Sequence, residues 1–403
     1  MQYRRTPRMA DPVDIVIVSD LHLGPQPSGH AGPQGAEAGA LALRALIDRK
    51  TSDAAASARP WGLVLLGDLF DFARAPASTG AGVDAERVAA ARARTLLDDH
   101  PRLVEAIGAA LASGADVAVV SGNRDMAWWW PAVRRELHDR VASDTGALTF
   151  HPWILYVPGL LYAEHGSQHH DINSHPRPMQ LAAAPGAHLG VAIDDYLAAF
   201  GRRLGAETSP AGIGSALSLM RRRPAAAIRA WSLHVDLVMT LARGLVRLSS
   251  RREARRRRRY RRRALASASG EIGLPPDVLA ELDALTEVRV WPMLSRLARA
   301  VADPSQRGTA YLHTGARRVQ RTLAAHGLAV PVYAFGHTHV AERWQLDAAT
   351  GGWYLNPGAW TDAPGSHTYV EVRRASDGAV TSQLRTLSWP VADAGPATAL
   401  TPP

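Results

Sequence analysis

Apolar positions along this chain follow two rhythms. Short unbroken apolar runs stand at 13–20 (VDIVIVSD), 62–68 (GLVLLGD) and 115–123 (ADVAVVSGN), each suited to a strand buried on both faces. Between them, 37–49 and 84–112 place Ala, Leu and Arg at helical intervals. Strands alternating with helices predict βαβ units and an α/β core. Residues 153–163 (WILYVPGLLYA) read as a strand pair folded at Pro158-Gly159. From 171 to 327 strand character vanishes and helical spacing takes over, broken by Gly and Pro at 185–186, 210–214 and 273–276, which predicts a helical insertion. Strands return with VPVYAFG at 330–336. Two hairpins follow, RWQLD with GWYLN around a Gly-Gly turn, and TYVEVRR with AVTSQLRTL around Ser376-Asp377-Gly378. The Ala-, Pro- and Thr-rich end from about Ala392 predicts a disordered tail.

Composition changes this picture in two places. Cysteine is absent, so a metal could be held only by imidazole, carboxylate and amide groups. The net charge of +9 is local: 251–263 (RREARRRRRYRRR) hold ten Arg and one Glu, leaving 36 basic and 36 acidic residues elsewhere. Just before that block, 231–248 predict an amphipathic helix with Asp236, Thr240, Arg243 and Arg247 opposite Val235, Val238, Leu241, Ala242 and Leu245. An apolar face joined to a cationic block suits an anionic membrane surface, and it equally suits a cap helix followed by a solvated one. Nucleic acid is disfavoured as a partner, because Tyr260 is the one aromatic within the run. No apolar run reaches the roughly 18 residues of a membrane span. The basic start MQYRRTPRMADP leads straight into the first strand without a signal-peptide core, so a cytoplasmic location is expected, peripheral at a membrane if the insertion docks there.

The candidate chemistry stands where strands end, which is where α/β sheets place their sites. Asp20 and His22 follow the first strand, Asp68 the second, Asn123 the third, His165 the strand after, and His337 and His339 follow VYAFG. A lone His or Asp at such a point is usually a cap or a surface residue. Five successive strand ends carrying four imidazoles and three carboxylate or amide groups form a far more specific signal. His169, His170, His175 and Asp171 read as loop residues or substrate contacts rather than ligands.

This set resembles the calcineurin-like metallophosphoesterases, whose pattern is D-x-H, G-D, G-N-H-D or G-N-H-E, a lone His, and G-H-x-H. The likeness spans roughly 13–170 and 328–390. It implies a four-layer α/β/β/α sandwich with catalytic parts at 11–170 and 328–390, a helical Arg-rich cap at 171–327 and a tail at 391–403. It also implies one divalent cation on Asp20, His22, Asp68 and His339 and a second on Asp68, Asn123, His165 and His337, with Asp68 shared. Mn²⁺ is the metal it favours, and Zn²⁺ or Fe would suit the same ligands. Asn356-Pro357-Gly358-Ala359-Trp360 matches a structural loop beside the family's site.

The chain departs from that pattern at Gly122-Asn123-Arg124-Asp125, where Arg replaces the usual His. Arginine stabilises charge but cannot protonate a leaving alkoxide. A phosphate leaving group, with a pKa of about 6, needs no such help. The catalytic candidates are therefore Arg124, facing the phosphates, and Asp125, orienting it. The same variant motif occurs in UDP-2,3-diacylglucosamine hydrolases, which this chain resembles in that motif and in having a helical cap, while its insertion is far larger than theirs. The expected function is hydrolysis of a phosphoester or phosphoanhydride in a phosphorylated small molecule or lipid. A phosphodiesterase or phosphatase with a soluble substrate, and an inert tether with this fold, are the alternatives.

Overall fold

A computed structural model describes residues 13–24, 33–72, 84–170, 173–175, 177–179, 189–203, 220–222, 224–287, 310–347, 351–360 and 366–388. Asp171 and the expected tail at 391–403 lie outside these residues. The chain is mixed α/β with two mixed sheets. Strand β1 (Val13–Val18) runs parallel to β2 (Trp61–Leu66), followed by β3 (Asp116–Val120) and β4 (Leu148–His151), while β10 (Ser366–Arg374) and β11 (Val380–Ser388) add antiparallel strands beyond β1. In the second sheet, β6 (Leu161–Glu164), β7 (Val332–Ala334) and β9 (Trp353–Pro357) are parallel. They are flanked by antiparallel β5 (Ile154–Val157) and β8 (Ala341–Gln345).

The unbroken apolar runs follow from burial on both faces. Side chains alternate along a strand, so Ile15, Ile17, Val64, Leu66, Ala118 and Val120 enter one cluster with Leu155, Leu161, Ala163, Val332, Ala334 and Leu355 of the second sheet. Their neighbours Val16, Val18, Leu63, Leu65, Val117 and Val119 point the other way. There they meet helices α1 (Pro33–Ser57), α2 (Ala85–Asp99), α3 (Pro101–Ala112) and α4 (Pro131–Val141) through Leu43, Leu46, Leu96, Ile107 and Leu137. The second sheet's other face carries Tyr156, Tyr162, Tyr333 and Tyr354 against Leu265, Leu279, Leu312 and Val319.

The structure adds to the sequence reading at three elements. The helical stretch at 84–112 is two helices, because Pro101 has no N–H to continue the first and restricts His100 before it. Strand β4, four residues long, is too short to show a period in sequence. Within the span expected as the insertion, the helix Ala310–Ala325 lies on the second sheet through Leu312, Ala316, Val319 and Leu323, beside Leu265 and Leu279.

The Arg run is divided by function as well. Ser250 caps the helix Arg251–Tyr260 by accepting the Glu253 N–H at 3.2 Å, and Glu253, Arg257 and Tyr260 are buried. Arg177 donates to Glu253 at 2.8 Å, and Arg261 binds Asp283 at 2.6 Å and Glu287 at 3.1 Å. Tyr260 Oη accepts the Met179 N–H at 3.0 Å. Inward-facing members of the run thus tie it to the body, and the others are exposed.

The Arg177–Glu253 pair is buried on both sides. Arg177→Ala leaves Glu253 without its main cation and should lower stability by roughly 3–5 kcal/mol. The check is chemical denaturation together with tryptic cleavage of 251–263, which should accelerate. Unchanged stability and cleavage would show that the pair does not anchor this helix.

Candidate metal centre

The loops after β1 and β2 bind each other: Asp20 N–H donates to Gly67 O at 3.1 Å, His22 N–H to Asp68 O at 2.8 Å and Leu23 N–H to Leu69 O at 2.9 Å. Gly336 N–H donates to His165 O at 2.9 Å, and Trp360 N–H to Asp20 O at 3.1 Å. These bonds gather five strand ends at one place. Asn356 holds the last of them, its amide donating to Gly336 O at 2.9 Å and to Thr338 Oγ1 at 3.0 Å. The Asn356–Trp360 loop does stand beside the site.

The backbone is strained at the candidate ligands themselves. Six non-glycine residues have positive φ among the described residues, and five are Asp20, His22, Asp68, His337 and His339. Such a conformation costs roughly 1–3 kcal/mol per residue, and it persists at functional sites when the surroundings enforce it. Glycine is required where the loops press closest. A Cβ on Gly67 would lie 2.5 Å from the His165 ring, and one on Gly122 would lie 2.2 Å from Asp68 Oδ1.

Each carboxylate anchors one oxygen and turns the other toward imidazoles. Asp20 Oδ2 lies 2.5 Å from Ser19 Oγ and accepts the His337 N–H at 3.0 Å. Its Oδ1, buried and without a hydrogen-bond partner, stands 3.3 Å from His339 Nε2, 3.5 Å from His22 Nε2 and 3.9 Å from His165 Nε2. Asp68 Oδ1 accepts the Arg124 N–H at 2.7 Å, while Oδ2 stands 3.3 Å from His165 Nε2 and 3.8 Å from His22 Nε2. Asn123 Oδ1 lies 3.2 Å from His165 Nε2. The His165 Nδ1–H points at Leu66 O at 3.0 Å, which leaves Nε2 for the centre.

Two groups result that could each hold a metal ion: Asp20, His22 and His339, and Asp68, His165 and His337. Donors about 2.1 Å from a common cation stand roughly 3.0–3.4 Å apart, which is the range of the closest contacts here. The orphaned Asp20 oxygen and the 3.0 Å approach of His22 Nε2 to His339 Nε2 suit cation occupancy better than a self-satisfied network. Asp68 Oδ2 lies 3.3 Å from His165 in its own group and 3.8 Å from His22 in the other, a placement compatible with a shared ligand.

Burial raises the pKa of both carboxyls, but the imidazoles outweigh it. His165 leads that effect, joined by His22 and His339 at Asp20 and by His22 at Asp68, and both acids are held below the usual range. Burial likewise opposes protonation of His165, yet Asp68 and Asp20 lift its pKa to about 10. His337 is pushed well down by burial and by the charges of His165 and His170.

The two residues expected to be catalytic differ in position. Arg124 is half-buried, and the carboxylate beside its guanidinium is that of Asp71, at 3.9 Å. Asp125 does not orient it. Its buried carboxylate accepts Gly122 N–H at 2.6 Å, Leu69 N–H at 2.8 Å and Trp128 Nε1–H at 3.2 Å, binding the loops after β2 and β3 together. Burial and the Asp68 charge raise its pKa to about 6.

Sequence reasoning missed Ser19, Asp71 and Asn173. His170, expected as a loop residue or substrate contact, stands at the edge of the site, with Nδ1 3.1 Å from His337 Nε2 and Asn173 Nδ2 3.2 Å from the same atom. The local cluster of histidines was the signal for this contact. His169 binds Glu164 at 2.8 Å, and His175 is buried against Trp129. A scan against protein-family models matched none, and no curated protein gave a significant match.

Asp68→Ala should remove binding of both metals, and Asn123→Ala should weaken one, as measured by metal content after Mn²⁺ loading. Two retained equivalents in Asp68→Ala would exclude a shared ligand. The pH dependence has a definite sign. The folded pKa of His165, about 10, exceeds the ordinary 6.5, so its proton stabilises the metal-free fold fully below pH 6.5, and that stability is lost as pH rises toward 10. The metal-free melting temperature should fall from pH 7 to 9. Over the same window Mn²⁺ affinity should rise, by up to about tenfold per pH unit, because binding releases that proton. Scanning fluorimetry and titration calorimetry report the two slopes, and parallel slopes would contradict the assignment.

Proposed function

We propose that this protein is a dinuclear metal-dependent hydrolase of phosphoester or phosphoanhydride bonds, built as the α/β/β/α sandwich of the calcineurin-like metallophosphoesterases. The observation that carries this reading is the pair of Asp and His groups meeting around Asp68 at the ends of four strands. Helices pack against the outer faces of two sheets that face each other, which supports the four-layer arrangement. Mn²⁺ is the proposed metal, with Zn²⁺ or Fe compatible with the same donors. The chemistry such a pair supplies is charge stabilisation of a phosphoryl group and activation of water.

The chain's own residues bias the substrate. Arg124 brings a fixed positive charge on the loop that holds Asp68, and cannot donate a proton to an alkoxide. Diphosphates, whose leaving phosphate is already acidic, are the proposed substrates, in a nucleotide or a lipid-linked form hydrolysed at the cytoplasmic face of a membrane. UDP-linked lipids are the first to test.

One observation favours a second reading. The His170 ring stacks on Tyr311 at 5.0 Å and reaches His337, so an imidazole does stand at this edge of the site. If it protonates a leaving alkoxide, the protein is a phosphodiesterase of broader range.

The deciding measurement is kcat/KM with Mn²⁺ for a UDP-linked lipid, an alkyl phosphodiester and a phosphomonoester. The diphosphate should be preferred. Arg124→His should narrow that preference, since an imidazole gives acid catalysis worth about 10²–10⁴-fold where protonation limits the rate. Equal wild-type turnover of alkyl esters, abolished by His170→Ala, would establish the second reading. Absence of hydrolysis by a metal-loaded protein would leave an inert fold.

A further inference from the structure

The helix Trp231–Ser249 has more apolar surface than its packing uses. Leu233, Leu237 and Leu241 turn toward Ile193, Tyr196, Leu197 and Phe200, largely in the helix Leu189–Arg203. Leu241 was expected on the same side as Val235 and Val238, and it instead faces the neighbouring helix while those two face out. At 100° per residue, Trp231, Val235, Val238, Met239 and Val246 fall within an arc of about 100°, apart from the packed leucines and from the polar positions Ser232, Asp236, Thr240 and Arg243. The helix therefore has three sectors: packed apolar, exposed apolar and polar.

The exposed sector is concentrated. Seven large apolar side chains stand out as exposed among the described residues, and six lie between Ile228 and Val246, with Trp231 at 68% and Val246 at 70%. A solvated helix packed on a neighbour needs one apolar stripe, and a second, exposed one marks a contact surface. The helix that follows begins at once, capped by Ser250, and 251–263 carry eight exposed arginines once buried Arg257 and half-buried Arg261 are set aside.

We infer that this stripe and the adjoining arginines form a docking surface for an anionic lipid bilayer, with the apolar side chains entering the headgroup boundary and the arginines meeting lipid phosphates. The charge selects this occupant. A second copy of the chain would bring one cationic block against another, and nucleic acid would leave Trp231, Val238 and Val246 in water. An anionic bilayer satisfies both features at one surface, by burying apolar area and neutralising arginine. None of the described helices is long and apolar enough to cross a membrane, so the contact lies on the surface. The inference is independent of hydrolysis at the metal centre.

The test is co-sedimentation of the full chain with vesicles of phosphatidylcholine alone or mixed with phosphatidylglycerol, at low salt. One variant combines Val235→Ser, Val238→Ser and Met239→Ser. The other combines Arg255→Gln, Arg256→Gln, Arg258→Gln and Arg259→Gln, leaving the buried Arg257 intact. Wild type should favour the anionic vesicles, and each variant should lower partitioning by on the order of tenfold or more. Quenching by brominated lipid should be smaller in Trp231→Phe than in wild type. Circular dichroism establishes that the variants fold, and any turnover of a soluble aryl phosphodiester should be equal in all, so loss of vesicle binding is read separately from loss of hydrolysis. Equal sedimentation of wild type and both variants overturns the proposal. So does a stripe variant that sediments like wild type while losing a concentration-dependent dimer, and so does loss of nucleic-acid binding alone in the arginine variant.

Discussion

Two carboxylates, Asp20 and Asp68, are almost wholly removed from water at the meeting point of two sheets. Unpaired charges in such a place would cost several kcal/mol each, and much of the surrounding architecture answers that cost. Backbone N–H groups and a serine hydroxyl hold one oxygen of each acid, and imidazoles face the other. In the metal-free chain a proton on His165 supplies the missing positive charge. The same electrostatic demand that makes the site costly to build makes it receptive to cations.

Reaching this arrangement sets conditions on the backbone. The candidate ligands are separated in sequence by more than 300 positions, Asp20 to His339, yet the nearest side-chain atoms of these two stand 3.3 Å apart. Left-handed conformations at five of them swing side chains inward over a very short span of chain, which an ordinary extended strand end would not do. The close passage of Gly67 under His165 and of Gly122 beside Asp68 leaves no room for a Cβ. The strain is thus offset by interlocked loops rather than by any single bond.

Much of this was legible because burial on both faces gives a strand an unmistakable run, and because strand ends in an α/β sheet are where polar residues become conspicuous. Asp20, His22, Asp68, Asn123, His165, His337 and His339 could be picked on that ground, and the structure brings them together. Asp125 could not be assigned correctly, because sequence does not tell whether a carboxylate faces a cavity or three N–H donors. Periodicity shows that a helix has an apolar face but not what covers it. Sequence thus shows that the helix Ala310–Ala325 is amphipathic but not that its apolar face covers the second sheet, and it groups Leu241 with residues that face outward. The arginine run read as one block, whereas the fold uses Arg257 and Arg261 internally and leaves the rest outside.

The pairing of β1 with β10 has a consequence for synthesis. Strand β1 emerges about 350 residues before the strand that covers its far edge, Val13 opposite Arg374. Until then the ribosome carries a partial sheet whose inner valines and isoleucines and whose open hydrogen-bonding edge both lack their final cover. The nascent chain must be shielded, or must wait in a loosely collapsed state, through about 350 residues of elongation. His337 and His339 follow β1 by a comparable length of chain, so both candidate metal groups stay incomplete until that stretch too has been made.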